Sequence, residues 1–186
     1  SNFFREAKSF FAESEEYKAL RCSKDKARRG YSPSLSENFA SLIGVVDANN
    51  DSVEKFRIGP LTLPETKVTN PEYYNSKEGR IHFYPNDTSI VTEDFPSAGE
   101  YYEAMSKLSK QLFYLILQCS GVSPNILDHA LDKPTSILSV NHYSPVHSKD
   151  ITQRVAPHSD VSVLTIVAQT AECGHESGSL EVLLHD

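Results

Sequence analysis

Cysteine is scarce in this chain: Cys22, Cys119 and Cys173 are the only ones among 186 residues, and no two form a C-x-x-C pair. Such usage fits a reducing compartment in which thiols stay free. Also missing is any apolar run near the ~20 residues that a membrane span requires, the longest being 112–117 inside a predicted helix. Read without a secretory signal, the glycosylation-like triplet Asn86-Asp87-Thr88 is expected to be a chance match. The expectation is a soluble, cytoplasmic protein that keeps off membranes. Positive charge is in deficit, with 18 Lys and Arg against 25 Asp and Glu and a formal net charge of −7. That balance argues against a nucleic-acid partner or an acidic membrane surface. The one basic cluster, 21–29, is interrupted by Asp25 and reads as a solvated loop. Internal repeats and low-complexity tracts are absent, and the length suits one domain.

The elements that are present can be read from periodicity. Phe3, Phe4, Ala7, Phe10 and Phe11 recur at helical spacing and predict an amphipathic first helix with an aromatic stripe. Such a stripe needs a surface to cover, which suggests structure before Ser1. Ser14 is placed to cap a short turn of Glu15, Glu16 and Tyr17. From 21 to about 92 glycine, proline and Asn-Asn breaks recur, and the stretch reads as loops and short helices draped over a scaffold. A long helix is predicted over 98–120, opened by a Ser97-to-Glu100 capping box and stopped by Gly121. Its face of Tyr101, Met105, Leu108, Leu112, Leu115, Ile116 and Cys119 is expected to support the core.

After His129 the period changes from 3.6 to 2. Over 136–143 one strand face carries Ile137, Ser139, Asn141 and Tyr143, the other Leu138, Val140 and His142. A second strand is expected over 158–167 and a third over 179–184. Helices first and strands later predict an α+β fold, with helices on one side of a mainly antiparallel sheet. The natural division falls into a helical and loop region, 1–130, and a strand-bearing region, 131–186.

The residues that carry chemistry are His158 and Asp160. On a strand, i and i+2 point to one face, so an imidazole and a carboxylate can converge there. A neutral nitrogen with a charged oxygen suits a borderline divalent metal better than calcium. Two histidines and one carboxylate with open positions form the facial triad of non-haem iron(II) oxygenases. By itself H-x-D is a frequent chance pattern, and a histidine hydrogen-bonded to a nearby aspartate is then the better explanation.

The setting of the pair is more specific. Val155 to Ile166 (VAPHSDVSVLTI) resembles the H-[ST]-D-x-[ST]-x-[LI]-T segment of iron(II)/2-oxoglutarate-dependent dioxygenases, in the branch that includes isopenicillin N synthase. Ser139-Val140-Asn141-His142-Tyr143-Ser144-Pro145 resembles the family's N-[YH]-Y-x-P strand. Arg28 to Pro33, Lys55 to Pro60, the Tyr101-Tyr102-x-x-Met105 helix start and Gly178 to Val182 are similar to further family segments, in family order. The resemblance implies a distorted double-stranded β-helix, or jelly roll, with supporting N-terminal helices, 131–186 being its first part. It implies iron(II) bound by His158 and Asp160. It also implies 2-oxoglutarate contacted by Asn141 and Tyr143, whose amide and phenol can hydrogen-bond a carboxylate.

Where the pattern breaks, the expectation narrows. The family's distal histidine and R-x-S arginine have no match, and the usual first strand and helix are missing before Ser1. The chain therefore resembles an incomplete jelly-roll domain, inactive by itself. His142 would face away from Tyr143, nothing in the spacing of His147, His175 or His185 demands a ligand role, and Cys173-Gly174-His175 lacks a four-ligand zinc pattern. The full-length protein is expected to hydroxylate or desaturate a small organic molecule with O2 and 2-oxoglutarate, as a monomer. An isopenicillin N synthase-like oxidase that uses no 2-oxoglutarate, and a non-catalytic jelly-roll remnant, are the alternatives.

Overall fold

The computed structural model describes residues 1–22, 29–42, 44, 49–61, 89–123, 125, 136–145, 154–160, 162–170 and 180. Helix α1 spans Asn2–Phe11 and buries Phe3, Ala7, Phe10 and Phe11, as its aromatic stripe predicts. The surface that covers this stripe lies within the chain. Phe3 stacks on Tyr101 with ring centroids 4.6 Å apart, and Phe10 meets Tyr31, Phe56 and Phe95 at 5.8, 4.9 and 5.2 Å. Tilted and edge-on ring contacts of this kind add to the burial of the aromatic surface. Helix α2, Glu15–Ala19, begins at Ser14, whose hydroxyl accepts the Tyr17 N–H at 3.2 Å.

The stretch expected to be loops and short helices contributes two strands. Strand β1, Gly30–Ser32, pairs antiparallel with β2, Glu54–Ile58, in the register Tyr31 opposite Phe56. Strand β3, Leu138–His142, pairs antiparallel with the other edge of β2, Phe56 opposite Val140 and Glu54 opposite His142. The sheet order is β1-β2-β3, so strands from both sides of residue 130 share one sheet. The strands of the irregular stretch were illegible because they are three and five residues long. Too few positions remain to establish a period of two. In β2, moreover, Glu54 and Lys55 are buried as well as Phe56 and Ile58, which destroys the alternation.

Helix α3 is the single turn Phe39–Leu42, α4 is Ser89–Asp94, and α5 is Ala98–Cys119 with Gly121 at φ 71° beyond its end. The α5 start differs from a capping box. Ser97 makes no side-chain cap; its N–H and hydroxyl both donate to the Glu6 carboxylate, the former at 3.0 Å. A carboxylate from α1 thus supplies negative charge at the α5 N-terminus, where the macrodipole favours it.

Among the described residues, the buried positions of α5 lie at its N-terminal end. Ala98 and Tyr102 are buried and Tyr101 packs on the core, whereas Leu108, Leu115 and Ile116 are exposed. Length gives the reason: a 22-residue helix runs about 33 Å, and a five-residue strand about 17 Å. The helix is about twice as long as the longest strand of the sheet. Phe56 and Phe95, at 0% and 1% exposure, mark the centre of the core. The arrangement is α+β, with helices packed against a small antiparallel sheet.

The 21–29 cluster is not a solvated loop at its two described ends. The Arg21 guanidinium donates to Asp94 at 2.9 Å and lies over the Tyr17 ring, and Arg29 is buried beside Gly59. The strand expected over 179–184 lies outside the described residues, apart from Leu180.

Candidate metal centre

Strand β3 alternates as its sequence predicts. Leu138, Val140 and His142 face inward, and Ser139 and Asn141 are exposed on the other side. His142 stacks on Phe11 at 5.0 Å and its Nδ1 lies 2.7 Å from Glu54 Oε1, so it is engaged away from Asn141. Asn141 Oδ1 accepts the Ser139 hydroxyl at 2.9 Å. Tyr143, just past the strand, is 46% exposed. Partial burial raises its phenol above the usual tyrosine value, and the Asp51 carboxylate adds to this while Arg154 opposes it.

His158 and Asp160 do converge, but not through a strand. Residues 158–160 and 162–167 carry no strand pairing, because among the described residues no neighbour hydrogen-bonds to them as a ladder. The pair is held instead in an irregular segment with three tethers. Ser52 N–H donates to Arg154 O at 2.8 Å, the Arg154 guanidinium donates to Ser144 O at 2.8 Å, and Phe39 packs its ring 4.1 Å from the His158 ring. The segment is thereby fixed between the start of β2, the turn of α3 and the end of β3.

The hydrogen bonding of His158 decides what its ring offers. Nδ1 lies 2.8 Å from Ala156 O, and a carbonyl oxygen only accepts, so Nδ1 bears the proton. In the neutral ring Nε2 then carries the lone pair. Nε2 lies 3.4 Å from Asp160 Oδ1, beyond the usual N–H···O range. Two acceptors at that distance repel unless a proton on Nε2 or a metal ion lies between them. Donors about 2.1 Å from a shared ion are about 3.0 Å apart at a right angle and about 3.4 Å at a tetrahedral one. A backbone carbonyl accepting the other ring N–H is also the usual support of a metal-bound histidine. The donor set and its separation therefore fit a divalent metal. Among the described residues no third His, Cys, Asp or Glu joins the pair. His147, His175, His185 and Cys173 lie outside them.

The chain is 31% identical to gibberellin 20 oxidase 2 of Arabidopsis thaliana over 58% of its length, which is 29% of that protein. It is 31% identical to 2-oxoglutarate-dependent dioxygenase 21, chloroplastic, of Oryza sativa subsp. japonica, over 61% of its length and 32% of the rice protein. A third relative, 1-aminocyclopropane-1-carboxylate oxidase homolog 1 of Arabidopsis thaliana, is 38% identical over 47% of the chain and 22% of that protein. Over the matched part the chain is similar to 2-oxoglutarate-dependent dioxygenases. It spans between about a fifth and a third of the length of these relatives. No protein-family profile matches it. Its fold is shared with a crystal structure from Caulobacter crescentus assigned to the 2OG-Fe(II) oxygenase family. The TM-score is 0.59 at 18% identity, with 80% of this chain and 44% of the other covered.

Phe39, which touches His158, and Asp51, Ser52 and Arg154, which hold the segments carrying the two rings, had no signal in the sequence. Two of these contacts, Ser52 with Arg154 and Phe39 with His158, join segments more than a hundred residues apart. No local pattern marks such a contact.

Proposed function

We propose that His158 and Asp160 are protein ligands of an iron(II) centre in an oxygenase that hydroxylates or desaturates a small organic molecule with O2 and 2-oxoglutarate. The observation that carries the reading is the approach of His158 Nε2 to Asp160 Oδ1 at 3.4 Å, with Nδ1 2.8 Å from Ala156 O. When bound, iron(II) with 2-oxoglutarate supplies oxidation of a substrate C–H bond by O2, the oxo acid leaving as succinate and CO2.

The chain's own residues have definable parts in this. Ala156 O holds the Nδ1 proton and so fixes the tautomer that leaves Nε2 basic. Asp160 contributes a negative charge that offsets part of the ion's charge. Asn141 and Tyr143 lie at and just beyond the outward face of β3, and an amide N–H with a phenol O–H can both donate to the carboxylate of 2-oxoglutarate. Ser139 already occupies Asn141 Oδ1, which leaves the amide's donor side for that contact. In this reading 131–186 forms the first part of a jelly-roll core, supported by 1–130, and a third protein ligand completes the site.

Anaerobic titration of the full-length protein with Fe(II), followed by measurement of succinate release, tests the proposal. Tight binding that His158→Ala abolishes, with succinate formed in step with O2 consumption, is the expected result. Unchanged iron affinity in His158→Ala would refute the ligand assignment. Oxygen consumption without any 2-oxo acid would favour an oxidase that dispenses with 2-oxoglutarate.

A further inference from the structure

Three segments distant in sequence meet beside His158, and one contact has no role in ligation itself. The Phe39 ring lies 4.1 Å from the imidazole, centroid to centroid, with 38° between the planes. An imidazole rotates about two bonds. The Nδ1–H bond to Ala156 O restrains the ring from one edge and still permits it to tilt about that bond. An aromatic face on one side limits that tilt.

Phe39 is itself anchored by a buried acid. Asp51, 3% exposed, accepts the Phe39 N–H through Oδ2 at 3.2 Å. The backbone of Asp51 bonds the same stretch twice, receiving the Leu35 N–H at 3.0 Å and donating to Glu37 O at 2.8 Å. Its neighbour Ser52 donates to Arg154 O at 2.8 Å. Residues 51 and 52 therefore hold both the α3 turn that carries Phe39 and the segment that carries His158. Glu37 adds rigidity through paired bonds to Arg57, each 2.6 Å, and one to Lys55 at 3.1 Å.

Resting on the iron-site reading above, we infer that Phe39 is a positioning residue that holds the His158 imidazole in its metal-binding orientation, and that Asp51 sets the place of Phe39. The physical advantage is twofold. A ring already oriented loses less rotational freedom when a metal binds. Ligation also withdraws electron density from the imidazole, and the electron-rich face of a phenyl ring favours a neighbour made more positive.

The test is anaerobic Fe(II) titration of the full-length protein and its variants, with Co(II) absorption as a reporter of ligand geometry. Phe39→Leu keeps the apolar volume and removes the ring. It is expected to weaken Fe(II) binding about 3- to 10-fold, the range of an aromatic pair contact, and to alter the Co(II) bands without changing the thermal midpoint. Phe39→Tyr, which restores the face, is expected to recover both. His158→Ala separates the two levels of the argument. If it abolishes binding while Phe39→Leu binds as the parent does, the positioning role is overturned and the ligand assignment stands. If it leaves binding unchanged, the iron-site reading falls and the positioning role with it. Should Phe39→Leu fail to fold, the His158 ring in the unaltered protein decides. Nitrogen shifts of the Nδ1–H tautomer with nuclear Overhauser contacts to the Phe39 ring support the role, and an Nε2–H tautomer or no such contacts overturn it.

Discussion

Removing the charge of Glu54 should cost this fold a large fraction of its stability. Glu54 is buried, and both of its carboxylate oxygens are engaged. Oε2 accepts Lys18 Nζ at 2.8 Å and the Tyr31 hydroxyl at 2.7 Å, and Oε1 lies 2.7 Å from His142 Nδ1. The side chains of Lys18 and Glu54 are only 3% and 8% exposed. Breaking a buried pair from one side leaves an uncompensated charge, at roughly 3–5 kcal/mol. In Glu54→Gln the amide keeps one acceptor but turns its NH2 towards donors, and among the described residues the carboxylate left to Lys18 is Glu15, whose side chain is 76% exposed, at 2.7 Å. The expected loss is therefore about 3 kcal/mol, the lower end of that range. It is a substantial part of the roughly 5–15 kcal/mol that holds a domain folded.

Urea denaturation followed by circular dichroism measures this loss, read as a fall in midpoint at constant slope. Lys18→Met should cost somewhat less, because Tyr31 and His142 remain as donors to the carboxylate. The double variant should cost less than the sum of the two, with a coupling of about 2 kcal/mol. A loss below about 1 kcal/mol in Glu54→Gln, or additivity within about 0.5 kcal/mol, would show that the pair is not the buried bridge described here. The pH dependence has a fixed sign. Burial alone would raise the Glu54 carboxyl, but the hydrogen bonds from Lys18, Tyr31 and His142 hold it below the ordinary carboxylate value. Its contribution is therefore full above that value and fades as the pH falls through the folded one.

Acid should also unfold the protein through Glu37. Burial would raise this carboxyl, yet Arg57 first and Lys55 next bring it from 4.5 to about 2. That difference is worth about 3 kcal/mol at neutral pH, all of it present above pH 4.5 and lost as the pH falls towards 2. Glu37→Gln should flatten the stability profile across this window, and an unchanged profile would refute the assignment. Gly59→Ala would place a Cβ 2.6 Å from Arg29 Nε, so the buried arginine or the strand end must shift. A loss of about 1–3 kcal/mol is expected, and a thermal midpoint equal to the parent's would contradict the packing.

The sequence by itself determined those features that depend on near neighbours in the chain. The Phe3–Phe11 stripe, the Ser14 cap, the span of α5 and the two faces of β3 all follow from side-chain periodicity over a few residues, and each is present. The local spacing of His158 and Asp160 likewise named the two groups that the structure brings within 3.4 Å. Tertiary structure decided how they are brought there. A strand over 158–167 was the expectation from a β-branched run, but a strand exists only where another supplies its hydrogen bonds, and among the described residues none does so. The pair is held instead by Ser52, Arg154 and Phe39.

The start of α5 followed the same rule. Its Ser97 was legible as a cap, but Glu6, 91 residues away, provides the acceptor. The two strands hidden in the irregular stretch became strands only by pairing with each other and with β3. Local sequence fixes what a short segment can do; which of its options is taken depends on groups that only the folded chain brings within bonding distance.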